Sequence, residues 1–171
     1  MSDFVNFVNA PGVVPSESTS LDRVVSDLLA KNITPVIRWL PVEARTAQAA
    51  AEQLDVPVGA IANSLVLLKD DDPLMVLVSG ANQVDLNLVS HRVGSRVVLA
   101  RGRQVRDITG QPIGGVAPLG HPKPIPTLID SDIGRYCSVW ASAGHPRSVF
   151  LSDLTTLATV TGGVVMDIAA R

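Results

Sequence analysis

Residues 64–78 read SLVLLKDDDPLMVLV, two apolar runs separated by Lys69 and the string Asp70-Asp71-Asp72-Pro73. Short runs of Val, Leu and Met bounded by turn formers read as paired strands, here 64–68 and 74–78 with the aspartates and proline as their turn. Nearly every position in both runs is apolar, which predicts a hairpin covered on both faces. Working outward, Ser20 is the expected N-cap of a helix reaching Lys31, with Leu21, Val24, Val25, Leu28 and Leu29 on one stripe. Residues 36–40 read as a strand ended by Pro41. Thr46 is placed to cap the alanine-rich helix TAQAAAEQL, which stops before Val56-Pro57.

Beyond the hairpin, a helix is expected over 85–93 with Gly94 as its stop, then a strand over 96–100 and a helical turn over 104–108. Strands follow at 127–130 and 138–142, a turn at 143–146, a return strand at 148–151, a helix opened by Ser152 and a closing strand at 164–168. This order predicts an α+β single domain: a mixed, strongly curved, barrel-like β-sheet flanked by short helices. Residues 1–19 are rich in Pro, Ser, Gly and Asn and read as an N-terminal arm, leaving 20–171 as the domain.

Composition narrows the class. The hydrophobic fraction is 46% against 18% charged residues, so the chain of 171 residues is expected to bury a sizeable core. Asp, Lys or Pro interrupts every apolar run before membrane-spanning length, and the first residues do not resemble a secretory signal; a cytoplasmic protein with no membrane partner is expected. The formal net charge of −2 argues against indiscriminate nucleic-acid binding. Charge is nevertheless uneven, because Arg92, Arg96, Arg101, Arg103 and Arg106 fall in one stretch without an acid until Asp107. That stretch reads either as a local phosphate-binding face or as a solvated surface with ordinary ion pairs. Cys137 is the single cysteine and sits in a strand-like run, which predicts a buried thiol rather than a nucleophile.

Residues 109–126, TGQPIGGVAPLGHPKPIP, are half glycine and proline. Glycine admits close approach and proline stiffens the path, so the segment is not slack linker. Its core, Gly114-Gly115-Val116-Ala117-Pro118, reads either as a set of bare N–H groups for a carbonyl or phosphate oxygen, or as a rigid crossover between strands. No Walker A sequence, no G-x-G-x-x-G after a first strand and no G-x-S-x-G elbow is present. His91, His121 and His145 lack a partner at ligand spacing, so neither a metal nor a cofactor is expected. An enzyme built this way works by positioning and backbone hydrogen bonds.

The order of the pieces carries more than any one of them. Thr46 on its alanine-rich helix is followed by LDVP-x-x-x-IANSLVLL, LMVLVSGANQVDL, ITG-x-x-x-GGVAPLG, PTLID and VWASAG, with a leucine-rich capped helix last. Over about residues 43–168 the chain resembles the YbaK/EbsC family, the editing domain associated with prolyl-tRNA synthetase. The resemblance implies a hydrolase acting in trans on the ester of mischarged aminoacyl-tRNA, such as Ala or Cys on tRNA-Pro. Its implied partner is the acceptor end of aminoacyl-tRNA, with prolyl-tRNA synthetase as a second candidate.

Residue by residue, the resemblance makes Gly114, Gly115, Val116, Ala117 and Pro118 the G-x-x-x-P loop that holds the aminoacyl group. It places Thr46, Ser64, Ser79, Gly80, Asp130, Ser142 and Gly144 around the same substrate. For Asp130 a structural cap is the alternative, and for the others a packing role. Asn63 stands where the family has a lysine, and asparagine donates hydrogen bonds without charge. Hence a second expectation: a catalytically weakened or inactive module that binds aminoacyl-tRNA or a nucleotide. A third is a hydrolase of a small ester unrelated to tRNA.

Overall fold

The computed structural model describes residues 6–7 and 19–170. In chain order its elements are β1 (Asn6–Phe7), α1 (Thr19–Ala30), β2 (Val36–Trp39), α2 (Ala47–Leu54), β3 (Ile61–Lys69), β4 (Asp72–Ser79) and α3 (Leu86–Val93). They continue with β5 (Val97–Leu99), α4 (Gly102–Thr109), β6 (Thr127–Asp130), β7 (Val139–His145), β8 (Ser148–Ser152), α5 (Leu154–Thr161) and β9 (Val164–Met166). Most of the expected arm lies outside the described residues; Asn6 and Phe7 pair in parallel with β2.

The hairpin is longer and tighter than its sequence suggests. Asp72 and Pro73 belong to β4, opposite Lys69 and Leu68, so the turn is Asp70-Asp71 alone. Both have positive φ, 49° and 70°. That is the handedness a two-residue hairpin loop requires, and aspartate tolerates it better than most residues. Pro73 costs no ladder bond, because its nitrogen faces the β6 side and β6 pairs only from Met75 onward. Both faces are covered as expected. Val66, Met75 and Leu77 enter the main core with Leu21, Val24 and Leu28 of α1. Leu67, Leu74 and Val76 pack beneath Val89 and Ile168 on the other side.

The strands form one mixed sheet with the order β1-β2-β8-β7-β3-β4-β6-β9, β5 lying off this path against β3. The α+β class stands. Among the described residues no pairing joins β1 to β9, so hydrogen bonding does not close the sheet into the expected barrel. β3 carries β4 along one whole edge. Its other edge is divided: β7 takes Ile61 and Ala62 in parallel, and β5 takes Leu67, Leu68 and Lys69 antiparallel. Between them the Val66 carbonyl accepts from Ala100 N–H at 3.0 Å. Peptide groups alternate along a strand, so those of Ser64 face the same edge, where no described strand lies against them.

Several local expectations change for identifiable reasons. Ser20 is not the N-cap of α1, which already includes Thr19; its Oγ donates to the Gly110 carbonyl at 3.3 Å instead. Ser152 remains in β8, and α5 is capped by Asp153, whose carboxylate accepts from Thr156 N–H at 2.8 Å. The expected turn at 143–146 is strand: β7 runs on to His145 through a register irregularity after Ser142, leaving Pro146-Arg147 as the connection. The helical turn at 104–108 extends into α4, begun at Gly102, with Arg101 N–H bonded to Gln104 Oε1 at 2.8 Å. Cys137 is exposed, because it precedes β7 rather than lying inside it.

Replacing Asp71 by glycine relieves the left-handed penalty without touching a side-chain contact of the core. Asp71→Gly is expected to stabilise the protein by up to about 1 kcal/mol, seen as a raised urea midpoint at unchanged slope. A lowered midpoint would show that the turn does not have this geometry.

Candidate active site

The divided edge of β3 opens into a cavity of about 460 Å³. Its floor is made of buried residues: Leu40, Ala50, Ala62, Trp140, Ser148 and Val149. Its mouth carries exposed ones, Arg45, Asn63, Leu99, Gly102 and Ile113. α2 forms one wall through Thr46, Ala47 and Ala50, and the N-terminal half of α4 faces it through Gly102 and Val105. Ser64, Ser142, Gly114 and Val116 complete the lining.

The loop after α4 is held from inside. Gln111 is 1% exposed. Its amide nitrogen donates to the Leu119 and Gly120 carbonyls at 3.1 and 3.4 Å, and its Oε1 accepts from Ala117 N–H at 2.7 Å. Gly120 N–H is bound by Asp27 of α1 at 2.9 Å. Gly115 donates to Pro112 O at 3.0 Å. A side chain at Gly115 would place Cβ 2.7 Å from the His145 carbonyl carbon, so the loop can lie on the His145-Pro146 peptide only with glycine there. Gly114 has φ +82° and packs beside Arg45.

These bonds sort the five residues of the G-x-x-x-P segment. Gly115 and Ala117 have spent their amides, and Pro118 has none to offer. Gly114 and Val116 line the cavity, and their N–H groups have no partner among the described residues. The expectation of a run of bare amides therefore narrows to two.

Two hydroxyls in the cavity are also unspent. Ser64 Oγ and Ser142 Oγ are buried and without a hydrogen-bond partner among the described residues. Leaving a buried hydroxyl unpaired costs about 1–3 kcal/mol, so these two are candidates for bonding to a group that enters the cavity. Thr46 Oγ1 accepts from Ala49 N–H at 3.1 Å and keeps its own proton to donate. Asn63 stands exposed at the mouth.

The remaining sequence candidates are placed elsewhere. Ser79 donates from Oγ to Gly59 O at 2.9 Å, and Asp130 accepts from Ser79 N–H, Asn82 and Asp132 N–H. Both are buried ties between β4 and the turn after β6, and neither lines the cavity. Gly80 is needed for packing, since a Cβ there would lie 2.4 Å from Val58 O. Gly144 has φ +92° against Ser20 of α1. The five arginines are all exposed, three of them on or just before α4, and none lines the cavity. Of these five, Arg103 has a carboxylate within 4 Å among the described residues, Asp107 at 3.9 Å.

Among the described residues no histidine or carboxylate lines the cavity. His145, next to it, stacks on Trp39 with ring centroids 4.9 Å apart, and its Nδ1 accepts from Arg147 N–H. Burial lowers its pKa, as it does for His121, whose Nε2–H donates to Ala117 O at 2.9 Å. Arg45, Gln111 and Trp140 were not identified from sequence. An arginine before a helix cap and a glutamine in a loop look like surface residues until tertiary contacts are known.

The family profile described as the aminoacyl-tRNA editing domain matches residues 42–159, a span that contains every lining element of the cavity except Leu40. The chain belongs to that family. This editing domain is 24% identical over 153 residues to a proline–tRNA ligase of Latilactobacillus sakei, covering 88% of the chain but 25% of the ligase. It is 27% identical over 128 residues to a protein of Enterococcus faecalis provisionally named Cys-tRNA(Pro)/Cys-tRNA(Cys) deacylase EbsC, covering 74% of the chain and 78% of that protein. A solved structure described provisionally as a trans-editing enzyme for prolyl-tRNA synthetase superposes with a TM-score of 0.85 at 36% identity. That match covers 91% of the editing domain's chain and all of the other.

Gln111→Ala leaves one buried N–H and two carbonyls unpaired at the base of the loop. It is expected to cost about 3 kcal/mol in a denaturant titration and to disorder the cavity wall, read from new amide exchange at Ala117. An unchanged midpoint would mean that the loop holds itself without this side chain.

Proposed function

We propose that the protein hydrolyses the ester linking a wrongly attached small amino acid to the 3′ end of a tRNA, working in trans, with Ala or Cys on tRNA-Pro as the expected substrates. The observation that carries this reading is the set of unspent polar groups in one cavity: the Gly114 and Val116 amides with the Ser64 and Ser142 hydroxyls. Water attacks the ester carbonyl carbon, the bond to the ribose oxygen breaks, the amino acid leaves as its carboxylate and the ribose hydroxyl recovers a proton. Negative charge gathers on the carbonyl oxygen meanwhile, and each fixed N–H aimed at it lowers the barrier by about 3 kcal/mol. The neighbouring ribose hydroxyl assists where a protein base is absent. Alanine walls at Ala47, Ala50 and Ala62 favour a small acyl group.

A second reading rests on Asn63. With asparagine in the family's lysine position, the cavity would bind the aminoacyl end and release nothing. Incubating the protein with a panel of mischarged tRNAs separates the two, since hydrolysis frees the amino acid and binding alone does not. Under the first reading Ser142→Ala lowers kcat/KM roughly tenfold while raising stability by up to about 1 kcal/mol, because a stranded hydroxyl is removed. Loss of both activity and stability would assign Ser142 to packing.

We infer further that the arginines beside α4 meet the tRNA backbone. The double change Arg101→Glu with Arg103→Glu is expected to weaken tRNA binding and to flatten its dependence on salt, measured by filter binding over a series of salt concentrations. Unaltered affinity would return these residues to the solvated surface.

A further inference from the structure

Among the described residues that line the cavity, Arg45 is the one with an ionised side chain. We propose that Arg45 binds the 5′-phosphate of the terminal nucleotide whose ribose carries the aminoacyl ester. This rests on the ester-hydrolase reading above and names the part of the substrate that the cavity mouth recognises.

The backbone of Arg45 is fixed against the acyl-binding wall. Its Cα lies 3.7 Å from where a Cβ on Gly114 would be, and the next residue, Thr46, is locked as the cap of α2. The side chain beyond that point is 82% exposed, with Glu43 at 3.3 Å as its carboxylate partner, itself half exposed. Such a surface pair is worth little and is readily exchanged for a stronger anion. The first turn of α2 holds no acidic residue, so the positive end of its dipole adds to the arginine rather than opposing it.

The choice of anion follows from the substrate's chemistry. An aminoacyl ester has no free carboxylate, and its amino group is a cation that Arg45 repels. The anion nearest the ester is the phosphate across the same ribose, and guanidinium is the side chain best shaped to hold one. The arginines around α4 do not line the cavity, and Asn63 has no charge. Arg45 thus supplies at the mouth a cation that position 63 lacks.

Adenosine 5′-monophosphate and adenosine differ by that phosphate alone. They can be titrated into the intact protein while following the fluorescence of Trp140, which lines the cavity. The monophosphate is expected to bind about tenfold more tightly, with the preference shrinking as salt rises. Arg45→Ala should abolish the preference, and Arg45→Lys should keep part of it. Equal binding by the unmodified protein, binding of neither compound, or a preference that survives Arg45→Ala would overturn the proposal. If the preference is present and lost with Arg45 while no mischarged tRNA is hydrolysed, the hydrolase reading fails and the phosphate site stands.

Discussion

A β-strand has two edges, and three strands compete for those of β3. β4 occupies one completely, so β7 and β5 must divide the other, meeting it at opposite ends. The stretch around Ser64 is left without a neighbour, and an unpaired sheet edge is ordinarily a hazard that a protein covers or blunts. Here it is roofed by the loop after α4 and by α4 itself, at a distance that leaves a cavity instead of a packed contact. The site is therefore a consequence of topology before it is a consequence of side chains.

The roof must be rigid to keep that distance, and its rigidity has an unusual source. Loops normally ride on the surface because their peptide groups need water. This one drives Val116, Ala117 and Leu119 into the main core, so its polar backbone must find partners inside. Gln111 meets three of those needs with one side chain, while Asp27 and His121 meet two more. Once these are satisfied, the amides left over at Gly114 and Val116 are not accidental gaps. They belong to two cavity-lining residues whose N–H groups the bracing leaves without a partner among the described residues.

Much of this was legible in the sequence where the signal is local. The apolar runs around Asp70 and Asp71 specify a two-sided hairpin, and the density of glycine and proline marks 109–126 as a stiff segment, either a binding loop or a rigid crossover. Thr46, Asn63, Ser64 and Ser142, which come from motifs that follow each other in order along the chain, all line one cavity. Distant contacts decide the rest: Ser79 and Asp130 are tied to Gly59 and Asn82, Asp130 also capping the turn after β6 as its structural alternative has it, and Gly144 packs closely against Ser20. Which loop amides stay free depends on Gln111, a residue whose type says nothing of where its side chain will be buried. Arg45 gave no signal at all, since an arginine beside a helix cap is indistinguishable from ordinary surface.

The apolar lining also accounts for the lack of a carboxylate or imidazole among the described residues of the cavity. A carboxylate or imidazole placed among Leu40, Ala50, Trp140 and Val149 would be desolvated and pushed toward its neutral form, gaining little as a proton carrier without a charged partner. Hydroxyls and amides keep their dipoles whatever the pH and cost nothing to hold in one state. Polarity falls instead from Arg45 at the exposed mouth to a buried floor that is apolar except for Ser148, with Ser64, Ser142, Gly114 and Val116 also in the lining. A molecule with an anion at one end, an ester in the middle and a small side chain at the other would settle in one orientation along that gradient. In the hydrolase proposed above, orientation of this kind would make a weak attacking water effective with neutral groups, the one charged side chain among the described lining residues standing at the entrance.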